Sequence, residues 1–398
     1  MGLNYKRRFL KDNALVTMGK ILITFKGFLL MPLLIKTLGV SLYGSYTLII
    51  YTTTLMFILS SFGVGFKFQR YAISTQNKQE RGRLFYDQFY FSFFATLIIA
   101  LLVVLVKLFH REPVFFQHIE FSFIHFCVLI IISNIHSRIS NYFRYTNRVK
   151  YAILINTVTP YIEIALIAFF IFYLKKLELN NLLLSTIIAL GIISSIFIVK
   201  IIRENGFMAP RFKVKEVKDD VKLGFPLMLS HLVTFFLNLG DRYILALLIS
   251  ATAVGYYNPA YTLGSLIIIL PKVFGMSLMQ LAAKAVDEKN DKEARDLISY
   301  SVNTYLLIAI PFVFGSALIS GPLLTFLANA EVAKMSALAV PMIAVGSLFY
   351  GLILILSNVL SVTLKTKSIF KVNCTAVVIN TVLNLILIYV FRERIRFA

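Results

Sequence analysis

Six ionisable side chains lie inside long apolar stretches of this 398-residue chain: Lys20, Lys26, Glu163, Asp241, Arg242 and Lys272. A charge at the centre of a lipid-inserted helix costs about 2.5–3.5 kcal/mol unless it faces protein or water, so each is a functional candidate. Four of the six are cations. A site biased in this way suits an anionic ligand such as a phosphate or pyrophosphate, which guanidinium and ammonium groups bind well. On that reading Lys26, Arg242, Lys20 and Lys272 contact the anion, while Asp241 and Glu163 couple an ion or pair with neighbouring charges. Lys20 and Lys26 are six residues apart, about 600° around a helix, so they do not share a face and at most one points straight at a given cleft. Lys20 and Lys272 can instead stretch towards headgroups. Asp241 and Arg242 can pair with neighbouring helices or neutralise one another.

Other chemistry finds no constellation. No Gly-rich loop ends in Lys-Ser/Thr, and no Gly-x-Ser-x-Gly elbow occurs. His110, His118, His125, His136 and His231 have no metal-ligand spacing. Cys127 and Cys374 are far apart inside apolar runs, which argues against a disulfide framework or a zinc site. The chain is therefore expected to be neither an enzyme nor a metalloprotein, and to need no cofactor beyond a proton or sodium gradient.

The elements that must hold these residues follow from composition. With 58% hydrophobic and only 15% charged residues, the chain falls well short of the roughly 25% charge of a soluble protein. Its apolar residues come in runs of about twenty, enough to cross ~30 Å of hydrocarbon. Backbone groups in lipid must satisfy one another, and barrel-type alternation is absent, so the runs predict helices and an all-α polytopic membrane protein. Eleven spans are expected, at about 14–35, 45–66, 89–106, 121–137, 151–173, 182–199, 224–248, 255–283, 301–319, 338–360 and 372–391. The first follows Lys6, Arg7, Arg8 and Lys11 but lacks a small-residue cleavage pattern, and is read as a retained helix.

The net charge of +21 would suggest nucleic acid in a soluble protein. Here the Lys and Arg residues gather in alternate loops, 27 on the N-terminal side against nine on the other. That asymmetry predicts a cytoplasmic N-terminus and no nucleic-acid partner. The outer segment Ser320 to Ala337 is mostly apolar and reads as a short interfacial helix. Arg392, Arg394 and Arg396 break the charge rule, because eleven spans put them outside.

Internal repetition suggests why. Ile155-Asn156-Thr157-Val158 recurs as Ile379-Asn380-Thr381-Val382, and Gly44 and Tyr46 match Gly255 and Tyr257. The chain then divides into an N-terminal six-helix bundle (1–199), a cytoplasmic linker (200–222) and a C-terminal bundle (223–398) with five helices, the partner of span six being expected just beyond Phe391. Two halves entering from the same side are related by an axis along the membrane normal, with the substrate path between them.

Leu38-Gly39, Tyr43-Gly44, Phe62-Gly63, Arg70-Tyr71, Gly224-Phe225-Pro226, Asp241-Arg242-Tyr243 and Val254-Gly255-Tyr256-Tyr257 occur in that order. The pattern resembles the polysaccharide or O-antigen flippase (Wzx) family of the MATE-like superfamily of multidrug, oligosaccharidyl-lipid and polysaccharide exporters, over about residues 14–391. The resemblance implies twelve helices in two six-helix bundles around a V-shaped cavity. It also implies export of an undecaprenyl-pyrophosphate-linked oligosaccharide across the bacterial inner membrane for O-antigen, lipopolysaccharide or capsule synthesis, coupled to an ion gradient. Only Asp241 and Arg242 match a family motif; Lys20 and Lys26 stand where the family tends to be basic. The chain departs from the pattern by lacking the twelfth helix. Expected partners are the lipid-linked oligosaccharide, membrane lipid, and the polymerase and chain-length proteins of the same pathway, with the chain itself a monomer. Two other readings stay open: a cation-coupled multidrug exporter of the same fold, and a membrane glycan polymerase or acyltransferase, against which the short outer loops count.

Overall fold

The computed structural model describes residues 3–72, 75, 77–109, 119–175, 178–211, 214–273, 275, 278, 290–362 and 366–396. Within these, side chains are described except at 3–17, 20, 214, 291, 294, 358–362, 366–369 and 391–396. His110, His118 and the side chains of Lys20, Arg392, Arg394 and Arg396 thus lie outside the described residues.

Every regular element among the described residues is helical, as hydrocarbon demands. In chain order they are α1 (Leu3–Ser61), α2 (Gly65–Tyr71), α3 (Lys78–Leu108), α4 (Phe123–Tyr145), α5 (Val149–Phe172), α6 (Leu179–Asn205), α7 (Val214–Leu248), α8 (Ala251–Gly264), α9 (Asp291–Leu327), α10 (Ala330–Ser336), α11 (Ala339–Val362) and α12 (Thr366–Arg396). Helix starts are capped by side chains: Asn77 accepts from the Gln79 N–H at 2.8 Å, and Asn329 from the Val332 N–H at 2.8 Å. Hydroxyls inside the helices fold back onto their own backbone, as Thr52 does onto the Leu48 carbonyl (2.8 Å) and Thr159 onto that of Ile155 (2.7 Å). These hydroxyls thereby enter apolar helices with their donors met.

The helices pack as two compact units, Met1–Leu33 with Ser45–Leu239, and Leu34–Gly44 with Gly240–Ala398. In the first unit α4 packs against α3, α5 and α6. Its core at one end is aromatic, with Phe68, Phe85, Tyr142 and Phe143 all buried together. Amide-to-hydroxyl bonds join neighbouring helices there: Asn134 Nδ2 donates to Ser60 Oγ (2.8 Å), and Asn156 Nδ2 to Ser140 Oγ (2.7 Å). In the second unit α9 packs on α11, and α8 on both. Buried Tyr305 there donates its hydroxyl to the Ser347 carbonyl at 3.1 Å.

Nine helices among the described residues are long and apolar enough to cross a membrane. Two local breaks relate this to the eleven expected spans. The first helix carries spans one and two as arms that meet at Gly39, whose φ of 83° is open to glycine at no steric cost. Span eight is interrupted after α8 by a 3-10 turn at Leu266–Ile268. The apolar segment expected as an interfacial helix at 320–337 is instead the continuation of α9 to Leu327 followed by short α10. Span four also runs further than its hydropathy suggested: α4 continues to Tyr145, which puts Arg138 and Arg144 in a helix rather than in a loop.

The motif glycines explain themselves in this packing. A Cβ on Gly63 would overlap the backbone of Gly224, and one on Gly224 would overlap Gly63. These two, from Phe62-Gly63 and Gly224-Phe225-Pro226, let the end of α1 and α7 approach backbone to backbone within the first unit. In the second unit Gly44 sits in the same way against Ala251 and Gly255.

Candidate functional site: buried charges in two helical units

In the first unit the charge set is built around Glu163 of α5, three residues after Pro160 and only 3% exposed. Lys26, on the first arm of α1, places Nζ 2.6 Å from Glu163 Oε2. Tyr46, on the second arm, donates its hydroxyl to Oε1, and Thr186 of α6 donates to the same oxygen at 2.9 Å. One carboxylate thus gathers four helical segments. Three donors around one carboxylate supply what water would have supplied, the condition for burying such a group. The pair is asymmetric, because the Lys26 side chain retains 27% exposure against 5% for Glu163.

In the second unit Arg242 of α7 is the largest fully buried side chain. Its Nη1 lies 2.7 Å from Asp241 Oδ1, and its Nε donates to Asn258 Oδ1 at 3.1 Å. The guanidinium stacks on Tyr261, 3.8 Å from the ring centre, while the Tyr257 hydroxyl donates to Asp241 Oδ2 at 2.6 Å. The spacing of Asn258 and Tyr261 in α8 presents both to Arg242 from one side, three residues apart. This knot is closed and charge-matched.

Lys26 and Arg242 thus each lie beside a carboxylate, Glu163 and Asp241 respectively. Arg242 is 1% exposed. Lys272 is exposed, and Lys20 is on α1 with its side chain outside the described residues. His136 is buried with Nδ1 3.3 Å from Ser194 Oγ. Among the described residues no group of three His, Cys, Asp or Glu side chains is placed to hold a metal ion.

A second arrangement in the first unit was missed by hydropathy. Arg138 on α4 is 4% exposed, lies over the Phe57 ring at 5.2 Å, and has Nε and Nη2 without hydrogen-bond partners among the described residues. With exposed Arg144, Tyr145, Gln69 and His231 it lines a cavity of about 480 Å³. None of the residues lining it is acidic. Its sequence signal is Arg138, Asn141 and Tyr145 at i, i+3 and i+7, one helix face. That signal shows only once α4 is extended past Ser137.

Residues 9–279 match the family described as polysaccharide biosynthesis protein, and residues 226–386 match the MatE family. No curated protein matches the chain in sequence. Among solved structures, the lipid II flippase MurJ in an inward closed conformation is similar at a TM-score of 0.72 and 15% identity, over 95% of this chain and 81% of that one. A MATE transporter of Vibrio cholerae gives 0.64 at 16% identity, over 92% and 86%. An inward-facing multidrug resistance MATE family transporter of the MOP superfamily gives 0.61 at 13%, over 95% and 99%. These likenesses establish the all-α, MATE-like fold.

Proposed function

Because the chain belongs to the polysaccharide biosynthesis protein family and has the fold of MATE and flippase transporters, we propose that it moves an undecaprenyl-pyrophosphate-linked oligosaccharide from the cytoplasmic to the outer leaflet of a bacterial inner membrane, for O-antigen, lipopolysaccharide or capsule. The division into a bundle at 1–199, a linker and a bundle at 223–398 belongs to this reading. Sugars cannot cross hydrocarbon unaided, whereas the polyprenyl tail can stay in lipid throughout. The work of the protein is to accept the charged headgroup.

The observation that carries this reading is the Lys26–Glu163 pair. Lys26 is the partner that an incoming anion can reach, and Glu163 is the one it cannot. When pyrophosphate oxygens draw the ammonium away, Glu163 keeps Tyr46 and Thr186 as donors and a coupling cation takes the place of Lys26. Substrate and coupling ion then exchange on one carboxylate, and ion coupling falls to Glu163 rather than to Asp241. Lys20 and Lys272 serve as further anion contacts.

The test is complementation of a deletion strain. Lys26→Ala is expected to leave lipid-linked repeat units accumulating and surface glycan absent, with the protein still inserted in the membrane. Normal surface glycan would overturn the reading. Multidrug export is the second reading, favoured by the MatE match over 226–386; it expects drug efflux that Lys26→Ala leaves intact.

A further inference from the structure

We infer that the Arg138 cavity is an oxyanion site that holds the phosphate oxygens of a glycosyl pyrophosphate, separate from the Lys26–Glu163 pair. The site stands on its own geometry; only the source of its ligand rests on the reading above.

Three equally enclosed charges invite comparison. Glu163 and Arg242 each meet an opposite charge, at 2.6 and 2.7 Å. Arg138 is as enclosed as they are, and its Nε and Nη2 have no hydrogen-bond partner among the described residues. A buried guanidinium without a counter-charge is among the least favourable groups a fold can keep, so its retention beside a cavity calls for a ligand. Nε–H and Nη2–H form the side edge of the guanidinium, the fork that takes two oxygens of a phosphate or carboxylate together. Phe57 holds the plane of that fork from one face.

The rest of the lining fits the remainder of the ligand. Arg144 is exposed and adds a second positive charge. Gln69 and Asn141 supply amides able to bond sugar hydroxyls, and Tyr145 supplies a ring for a sugar face. At about 480 Å³ the cavity is within the usual range for a small-molecule site. A bare anion would need only the arginines, so the amides and the ring favour an anion attached to a sugar.

The test is calorimetric titration of the full chain in lipid nanodiscs with inorganic pyrophosphate. Saturable binding is expected, weakened about tenfold or more by Arg138→Lys, which keeps charge but loses the fork. Arg138→Gln is expected to remove it. Arg144→Gln, at an exposed position that does not threaten folding, should weaken binding several-fold. Absence of saturable binding to the unmodified chain, or unchanged binding in Arg138→Lys and Arg144→Gln, overturns the site. A second arm adds polyprenyl pyrophosphate to the disc lipid. Competition with inorganic pyrophosphate supports a lipid-borne ligand. Competition by a soluble nucleotide sugar alone supports the site and overturns its link to lipid transport.

Discussion

At the residue scale, the charges inside apolar helices fall into two chemical kinds. Lys26 and Glu163 form a pair with one reachable member, whereas Arg242 and Asp241 form a closed one. Removing one partner of a buried pair costs about 3–5 kcal/mol because the other charge is left unmatched, while removing both is often near neutral. Arg242→Ala is therefore expected to lower the unfolding temperature in detergent sharply, and Asp241→Asn with Arg242→Met to recover most of the loss. An unchanged melting temperature in Arg242→Ala would show that the knot is not structural. For the first pair, Glu163→Gln alone is expected to destabilise more than Lys26→Ala with Glu163→Gln together, and neither to export glycan. Equal stability of the two variants would contradict the pairing. Lys26, Glu163, Asp241 and Arg242 were legible because a charge among some twenty apolar neighbours announces itself. The Lys26–Glu163 pairing was not, because it joins residues 137 apart in sequence, whereas Asp241 and Arg242 are neighbours whose mutual neutralisation was among the expectations. Arg138 was hidden for the opposite reason: hydropathy falls at Ser137, while the α4 backbone keeps its helical bonds to Tyr145.

Among the elements, what matters is where helices bend and where they touch. The residues that carried the family resemblance turn out to be mostly about contact. Gly63 meets Gly224, and Gly44 meets Gly255 and Ala251. Gly39 is different, because a Cβ there meets nothing within 4 Å and only its φ of 83° resists a side chain. The two kinds of glycine should respond differently. Gly39→Ala is expected to cost about 1–3 kcal/mol, the backbone penalty alone of a conformation at φ 83° and ψ 167° that is essentially restricted to glycine. Gly224→Ala must push two backbones apart and is expected to cost more, with loss of folded protein. Comparing the thermal unfolding of the two variants decides the matter, and equal or reversed effects would contradict the contact. Helix existence was readable from run length, since lipid leaves the backbone no alternative. Helix ends were not, because α9 passes through Pro311 and Pro322 without stopping and continues to Leu327.

For the whole molecule, composition alone set the class: a chain this apolar and this poor in charge has to use lipid as its solvent. The family match over 9–279 and the fold shared with transporters then turn a list of intramembrane charges into a proposal about cargo. Loop charge sets the expected orientation, with the N-terminus in the cytoplasm. The most direct test follows the leaflet location of the lipid-linked repeat unit in membrane vesicles carrying the unmodified chain or Lys26→Ala. The account expects enzymatically accessible repeat units to move to the outer leaflet with the unmodified chain, and to stay on the cytoplasmic leaflet with Lys26→Ala. Equal movement in both would contradict it.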